Sequence, residues 1–221
     1  MRSYTRRLAA IKLTVITVVS LMVMAALYWN GTNPVKAFSS GPPIGYTGAP
    51  VESSCTDCHS SFPVNSGAGS VEITGIPRVY KPGQQYTVSV KTSQEDAILF
   101  GFEVTAINRL GTQAGTLAVT NKIQTQFDEG PAGQEQLWRQ YIFHTSSGLF
   151  TPKVFGSNTW SFAWTAPAQK IGKIDFYAAG NAANSNSSSS GDYIYTTSVS
   201  ALAAPALSNF DGDLASDIAF F

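Results

Sequence analysis

Apolar and polar residues alternate along several short runs between residues 70 and 200. Phe102, Val104 and Ala106, for example, are interleaved with Glu103 and Thr105. Because successive side chains of a strand point to opposite faces, this period of two predicts β-strands that each bury one face. The predicted strands lie at residues 70–74, 86–91, 102–106, 115–120, 137–145, 160–165, 173–178 and 193–200.

Turn-forming residues separate these strands at about the spacing that is typical of an antiparallel sandwich, and no segment resembles a βαβ unit. We therefore predict an all-β fold, an immunoglobulin-like antiparallel β-sandwich over residues 70–200. Residues 184–191 have the Asn- and Ser-rich composition of a linker, but a strand follows them, so they are predicted to form a long loop. Residues 201–207, which include Pro205, are the predicted linker.

Residues 38–69 lack this alternation. Gly and Pro recur there, and no stretch is long enough to hold apolar residues at helical spacing. The segment is predicted to be irregular, with a short helical turn around residues 55–59. Any group bound to it would find its apolar walls on the sandwich.

The first 37 residues have the pattern of a secretory signal peptide. Four basic residues between positions 2 and 12 precede an uncharged apolar run at 13–29. Val35 and Ala37 are small residues where a signal peptidase reads the chain, so cleavage is predicted after Ala37. The apolar run is close to the length of a spanning helix, which leaves an uncleaved N-terminal anchor as the alternative. In either case we expect the rest of the chain to be exported.

Charge excludes one class of function. Residues 1–37 hold five of the 14 Lys and Arg residues and none of the 14 acidic residues, so the mature chain carries a formal charge of −5. Nucleic-acid binding needs a basic surface and is not expected.

The strongest chemical motif is Cys55-Thr56-Asp57-Cys58-His59. Two thiols two residues apart can each add across a vinyl group of haem, and a histidine directly after the second thiol can ligate the iron; C-x-x-C-H is the pattern of c-type haem attachment. The alternatives are a redox disulfide or half of a zinc site. A zinc site needs about four ligands, and the sequence has no second Cys pair. We therefore expect one covalent haem c held by Cys55 and Cys58, with His59 as the proximal ligand.

The second axial ligand follows from the histidine and methionine content. Met1, Met22 and Met24 all lie in the predicted signal peptide, so the mature chain offers no thioether. His144, at the end of the predicted strand 137–145, is the one other histidine and the candidate distal ligand. By strand alternation it shares a face with Trp138 and Ile142 at the rim of the sandwich. A histidine that is hydrogen-bonded to the backbone, or an open sixth position, is the alternative.

The C-terminal tail carries a candidate calcium loop. Asn209, Asp211, Asp213 and Asp217 supply the oxygen-bearing side chains that a hard cation prefers. The loop is not an EF-hand, because Gly212 stands fourth where that motif has glycine sixth. A solvated acidic turn is the alternative reading.

Enzyme motifs are missing from the sequence. It contains no G-x-S-x-G elbow, phosphate-binding glycine loop or H-E-x-x-H motif. Four acidic residues in predicted loops (Glu95, Asp96, Asp128 and Glu129) have no identifiable partner for acid–base chemistry. We expect no enzymatic activity, except peroxidase-like activity if the iron is five-coordinate. The large aromatic residues of the predicted strands are expected in the core: Trp138, Trp160, Phe162 and Trp164.

Residues 41–50 followed by Cys55, Cys58 and His59 resemble the opening of bacterial exported proteins called choice-of-anchor V domain proteins. Further segments of the chain are similar to that family and to the reeler domain, an immunoglobulin-like sandwich of secreted animal proteins: Tyr80-Lys81-Pro82-Gly83, Gly101-Phe102, Trp164-Thr165-Ala166-Pro167 and Phe176-Tyr177-Ala178-Ala179-Gly180.

The resemblance implies a haem motif before a sandwich, and it implies that His144 serves the haem. The animal pattern has Phe where this chain has Leu99, and its disulfides have no counterpart here, so animal functions do not carry over. Residues 210–220 are similar to the start of an FG-GAP or VCBS propeller repeat. One repeat cannot close a propeller, so this similarity implies either a longer surface protein or a remnant.

These observations predict an exported bacterial monohaem c-type cytochrome that acts in electron transfer or redox sensing at the cell surface. Its expected partner is a redox protein or an extracellular electron acceptor. The alternative is a surface binding or adhesion module with a Cys55–Cys58 disulfide and no haem.

Overall fold

The computed structural model describes residues 2–29, 38–150 and 155–204. Helix α1 (Arg2–Trp29) belongs to a unit of its own, Met1–Val35, and the rest of the chain forms a second unit. Within the described ranges, no helix combines the length and the hydropathy needed to cross a bilayer. The predicted cleavage site after Ala37 lies outside the described residues.

Ten strands make up the second unit. They are β1 (Ser70–Thr74), β2 (Val79–Tyr80), β3 (Gln85–Ser93), β4 (Leu99–Asn108), β5 (Thr116–Val119), β6 (Thr125–Ala132), β7 (Leu137–His144), β8 (Ser157–Thr165), β9 (Ile174–Ala183) and β10 (Tyr193–Ala203). One sheet has the order β1-β3-β8-β5 and the other the order β2-β10-β9-β4-β7-β6. All pairings are antiparallel except the two-residue pair of β2 with β10. The predicted all-β sandwich is confirmed.

The core lies between the two sheets and is strongly aromatic. Trp160, Phe162 and Trp164 of β8 are fully buried, as predicted, and the ring of Phe102 stacks on Trp160 with centroids 4.4 Å apart. Trp138 was predicted in this core and is instead 55% exposed. It lies near the start of β7, opposite Pro131 of the edge strand β6, where less of the chain is available to cover it.

Residues 38–69, here called the N-terminal segment, cover the outer face of the six-stranded sheet. A short antiparallel bridge joins Thr47 to Ser54, and contacts with β4 and β7 hold the segment on the sheet. As a result β4 is buried on both faces: Glu103 and Thr105 are as inaccessible as Val104. The prediction of a single buried face was wrong for this strand, because the covering residues come from a distant, irregular part of the sequence.

Three further differences concern strand limits. The short β2 was not predicted, and β6 contains Asp128 and Glu129, which had been assigned to a loop. Strand β10 continues to Ala203, three residues into the predicted linker, where it pairs with β2. Residues 184–191 form the loop between β9 and β10, as predicted.

Candidate functional site

A cavity of about 370 Å³ lies where the N-terminal segment meets the six-stranded sheet. It is bordered by the start of β4, the end of β7 and the loop between β9 and β10. Its apolar lining comes from both sides of this junction and comprises Phe38, Pro42, Pro43, Leu99, Phe100 and Leu149. The volume falls within the usual range for small-molecule and cofactor sites.

Cys55, Cys58 and His59 line one side of the cavity on a short helical turn. The turn predicted there is present as a 3₁₀ helix, Cys55–Asp57, which Ser54 caps by accepting a hydrogen bond from the backbone N–H of Thr56. The backbone N–H of His59 donates to the carbonyl oxygen of Cys55 at 2.9 Å. This turn brings both cysteines and the histidine to the same cavity.

Both thiols are free and partly buried, so they are not joined as a disulfide in this structure. Burial, with a smaller contribution from the charge of Glu103, raises the pKa of Cys55 to about 12. Burial and the neighbouring Asp57 also raise the pKa of Cys58. Both cysteines are therefore protonated thiols at neutral pH.

His59 is held by a buried carboxylate that the sequence did not single out. Its Nδ1 lies 2.7 Å from Oδ2 of Asp192, whose side chain is 1% exposed. The other carboxylate oxygen of Asp192 accepts a hydrogen bond from the backbone N–H of Asn184 at 3.0 Å. Asp192 follows the Asn- and Ser-rich loop directly, and no sequence pattern links it to a histidine 133 positions earlier.

Asn181 of β9 is a second polar neighbour of His59. Its Nδ2 lies 3.3 Å from both imidazole nitrogens, and its Oδ1 is buried with no hydrogen-bond partner among the described residues. A buried polar atom without a partner costs free energy unless a bound molecule satisfies it. Asn181 also lines the cavity, so this oxygen is available to an occupant.

His144 lines the same cavity as the three residues of the motif. It ends β7 and is 7% exposed. Its Nδ1 is 3.1 Å from the backbone nitrogen of Phe102 and 3.2 Å from the carbonyl oxygen of that residue. Burial lowers the pKa of His144 to about 4, against the opposing effect of hydrogen bonds with the backbones of Phe102 and Phe38. The imidazole is therefore neutral, which is the form that ligates metals.

Two buried glutamates fasten the N-terminal segment beneath the cavity. Glu103 of β4 accepts hydrogen bonds from the backbone N–H groups of Gly45 and Tyr46 at 3.1 and 2.7 Å. Glu52 of the segment pairs with Arg139 of β7 at 2.5 Å and accepts a hydrogen bond from the hydroxyl group of Tyr141 at 2.8 Å. The segment is thus tied to two adjacent strands through carboxyl groups that solvent does not reach.

The structure brings together the four residues assigned to a haem from the sequence, Cys55, Cys58, His59 and His144, around one cavity. Among the described residues no cluster of three or more His, Cys, Asp or Glu side chains has the arrangement of a metal-ion site. The candidate calcium ligands lie outside the described residues: Asn209, Asp211, Asp213 and Asp217.

No family model matches the chain, and no curated protein sequence matches it. Among solved structures, the chain is similar to the Reelin-N domain of F-spondin, with 16% identity, a TM-score of 0.46 and coverage of 68% of this chain and 97% of that chain. It is similar to the human F-spondin reeler domain, fragment 1, with 18% identity, a TM-score of 0.44 and coverage of 66% and 96%. A cohesin module from a Clostridium perfringens family 33 glycoside hydrolase has 8% identity, a TM-score of 0.41 and coverage of 62% and 98%.

Proposed function

We propose that this protein is an exported monohaem c-type cytochrome that acts in electron transfer or redox sensing at the cell surface. One observation carries the proposal. The C-x-x-C-H residues line the same cavity as His144, the second histidine of the mature sequence, which follows His59 by 85 positions. The alternation of apolar and polar residues in the strands does not by itself bring these residues to one cavity. A haem with two histidine ligands would require both side chains at one site.

The residues present fit a covalently attached haem. Cys55 and Cys58 have free thiols on the cavity wall for the two thioether bonds. Nδ1 of His59 is hydrogen-bonded to Asp192, and its Nε2 would exchange the amide of Asn181, 3.3 Å away, for the iron. The apolar walls suit a large, mostly apolar group. A haem held here supplies reversible one-electron exchange.

His144 is the proposed ligand on the other side of the iron. Its imidazole is neutral and buried, and it would exchange one of its backbone hydrogen bonds for the metal. Two histidine ligands lack the upward shift in reduction potential that methionine provides, so we expect a low-potential centre. Substitution of His144 by alanine should convert a low-spin absorption spectrum to a high-spin one. An unchanged spectrum would remove His144 from the coordination sphere.

Export and partners complete the proposal. The basic and apolar pattern of residues 1–37 indicates secretion, and haem is attached to c-type cytochromes outside the cytoplasm. An acidic mature chain suits a redox partner with a basic docking surface better than a nucleic acid. The calcium loop and the FG-GAP or VCBS repeat stay predictions from the sequence.

The test is expression of residues 38–221 behind a signal peptide in a host that carries a haem-attachment system. The purified protein should show the absorption bands of haem c and a mass increase of one haem, and a Cys55→Ser/Cys58→Ser variant should show neither. Apoprotein under these conditions would refute the proposal. If it also contains no free thiols, a Cys55–Cys58 disulfide in a surface binding module becomes the preferred reading.

A further inference from the structure

Among the described residues, Asp192 is the acidic residue that lines the cavity. Its side chain is 1% exposed, and among the described residues its recorded partners are the imidazole of His59 and the backbone N–H of Asn184. The described part of the chain shows no Lys or Arg ion pair with it. A buried carboxylate without a permanent cation is costly unless each oxygen accepts a hydrogen bond, and here each does.

The geometry dictates the tautomer of His59. A carboxylate can only accept, so the atom 2.7 Å away, Nδ1, must carry the hydrogen. The neutral imidazole then has its lone pair on Nε2. The same contact fixes the rotation of the ring, because Asp192 is itself anchored at the start of β10 by the N–H of Asn184. A carboxylate behind a ligating histidine also increases the basicity of the ligand.

We infer that Asp192 is a positioning residue that presents Nε2 of His59 to the iron and lowers the reduction potential of the bound haem. The inference rests on the proposed function and adds a residue that the C-x-x-C-H motif does not contain. Its physical basis is electrostatic. A negative charge held in a buried site next to the ligand favours the ferric state, which carries one more positive charge than the ferrous state.

The experiment compares Asp192→Asn with Asp175→Asn in the holoprotein. Both substitutions remove one negative charge, but Asp175 pairs with Lys173 and Ser200, and it does not line the cavity. We expect Asp192→Asn to shift the ratio of oxidised to reduced protein at a given potential about tenfold, which is a rise in midpoint potential of about 59 mV for one electron. The midpoint potential of the control, Asp175→Asn, should rise by less than a third of that amount. Equal shifts in the two variants would overturn the inference.

Failure of the inference and failure of the proposed function are distinguishable. Wild-type protein without haem refutes the function and the inference with it, whereas wild-type holoprotein with equal variant potentials refutes the inference alone. If Asp192→Asn does not fold, the hydrogen bond between His59 and Asp192 can still be tested in the wild-type protein. In the reduced, diamagnetic holoprotein, with carbon monoxide added if the iron is high-spin, the Nδ1–H of His59 should give a proton resonance that exchanges slowly with solvent and couples to the Nδ1 nitrogen. Absence of that resonance overturns the inference, and Asp192→Glu, which keeps the carboxylate, should retain it.

Discussion

At the scale of single residues, Glu103 shows how a carboxyl group can hold an irregular segment in place. It lies between β4 and the N-terminal segment with no accessible surface and accepts two backbone N–H groups. Burial raises the pKa of Glu103 well above its usual range, while the same two hydrogen bonds oppose the shift. The desolvation of the charged form is the larger effect.

The raised pKa of Glu103 predicts a pH dependence of stability. In the unfolded chain the carboxyl group ionises near pH 4.3, whereas the folded protein retains its proton to a higher pH. The stability that this proton contributes is complete below pH 4.3 and is lost as the pH rises through the folded-state pKa. The free energy of unfolding of the wild type, relative to Glu103→Gln, should therefore be smaller at pH 8 than at pH 5.

Urea unfolding of both proteins at the two pH values measures this difference. Glu95→Gln is the matched control, because Glu95 is exposed in a loop. A difference between wild type and Glu103→Gln that stays constant or grows from pH 5 to pH 8 would contradict the prediction.

Gly101 sets the position of His144. A Cβ atom at Gly101 would lie 2.7 Å from Cε1 of His144, closer than side chains tolerate. The buried ring would have to move, so Gly101→Ala should convert at least part of a low-spin haem spectrum to high-spin. Gly130→Ala on β6 is the control, since its Cβ would meet only the flexible end of Ile44. Identical absorption spectra for the two variants would show that Gly101 does not constrain the ligand.

At the scale of elements, the sequence predicts strands in which apolar and polar residues alternate, and it misses strands without that alternation. All eight predicted strands are present, because alternation reports directly on a sheet that packs on a core. Strand β6 was not predicted, because Asp128, Glu129 and Pro131 are residue types that are common in loops. Edge strands tolerate charge and proline, since one side of the strand makes no ladder hydrogen bonds.

The junction between β7 and the N-terminal segment depends on the buried pair of Arg139 and Glu52. Replacement of Arg139 by methionine leaves the Glu52 carboxylate without its cation in a site that has no exposed side-chain surface. We expect a loss of about 3–5 kcal/mol in the free energy of unfolding. The double variant Arg139→Met/Glu52→Gln should recover part of that loss.

Denaturant unfolding of the two variants checks this coupling. The control is Lys173→Met, which breaks an ion pair whose lysine is 54% exposed. It should cost much less free energy of unfolding than Arg139→Met, because solvent screens an exposed pair. A similar cost for Arg139→Met and Lys173→Met would mean that the buried pair does not hold the segment.

At the scale of the whole molecule, the candidate site is made by tertiary packing of parts that are far apart in sequence. The C-x-x-C-H motif could be identified from the sequence, because the spacing of the two thiols and the histidine that follows them indicate haem attachment without any structure. His144 was reached by elimination. Asp192 and Asn181 were not predicted, since neither belongs to a motif, and only the β9–β10 hairpin brings them to His59.

The same packing makes the N-terminal segment part of the fold and not only the carrier of the C-x-x-C-H motif. Without residues 38–69, the outer face of β4 and β7 would expose Glu103, Arg139 and Tyr141, which the segment now covers. We therefore expect a chain of residues 70–221 to unfold at a lower denaturant concentration than residues 38–221, or to aggregate. The Cys55→Ser/Cys58→Ser variant of residues 38–221 separates the two possible causes, because it keeps the segment and cannot attach haem. It should remain folded, as measured by circular dichroism and urea unfolding. If it is as unstable as the truncated chain, the covalent haem and not the segment stabilises this face of the sandwich.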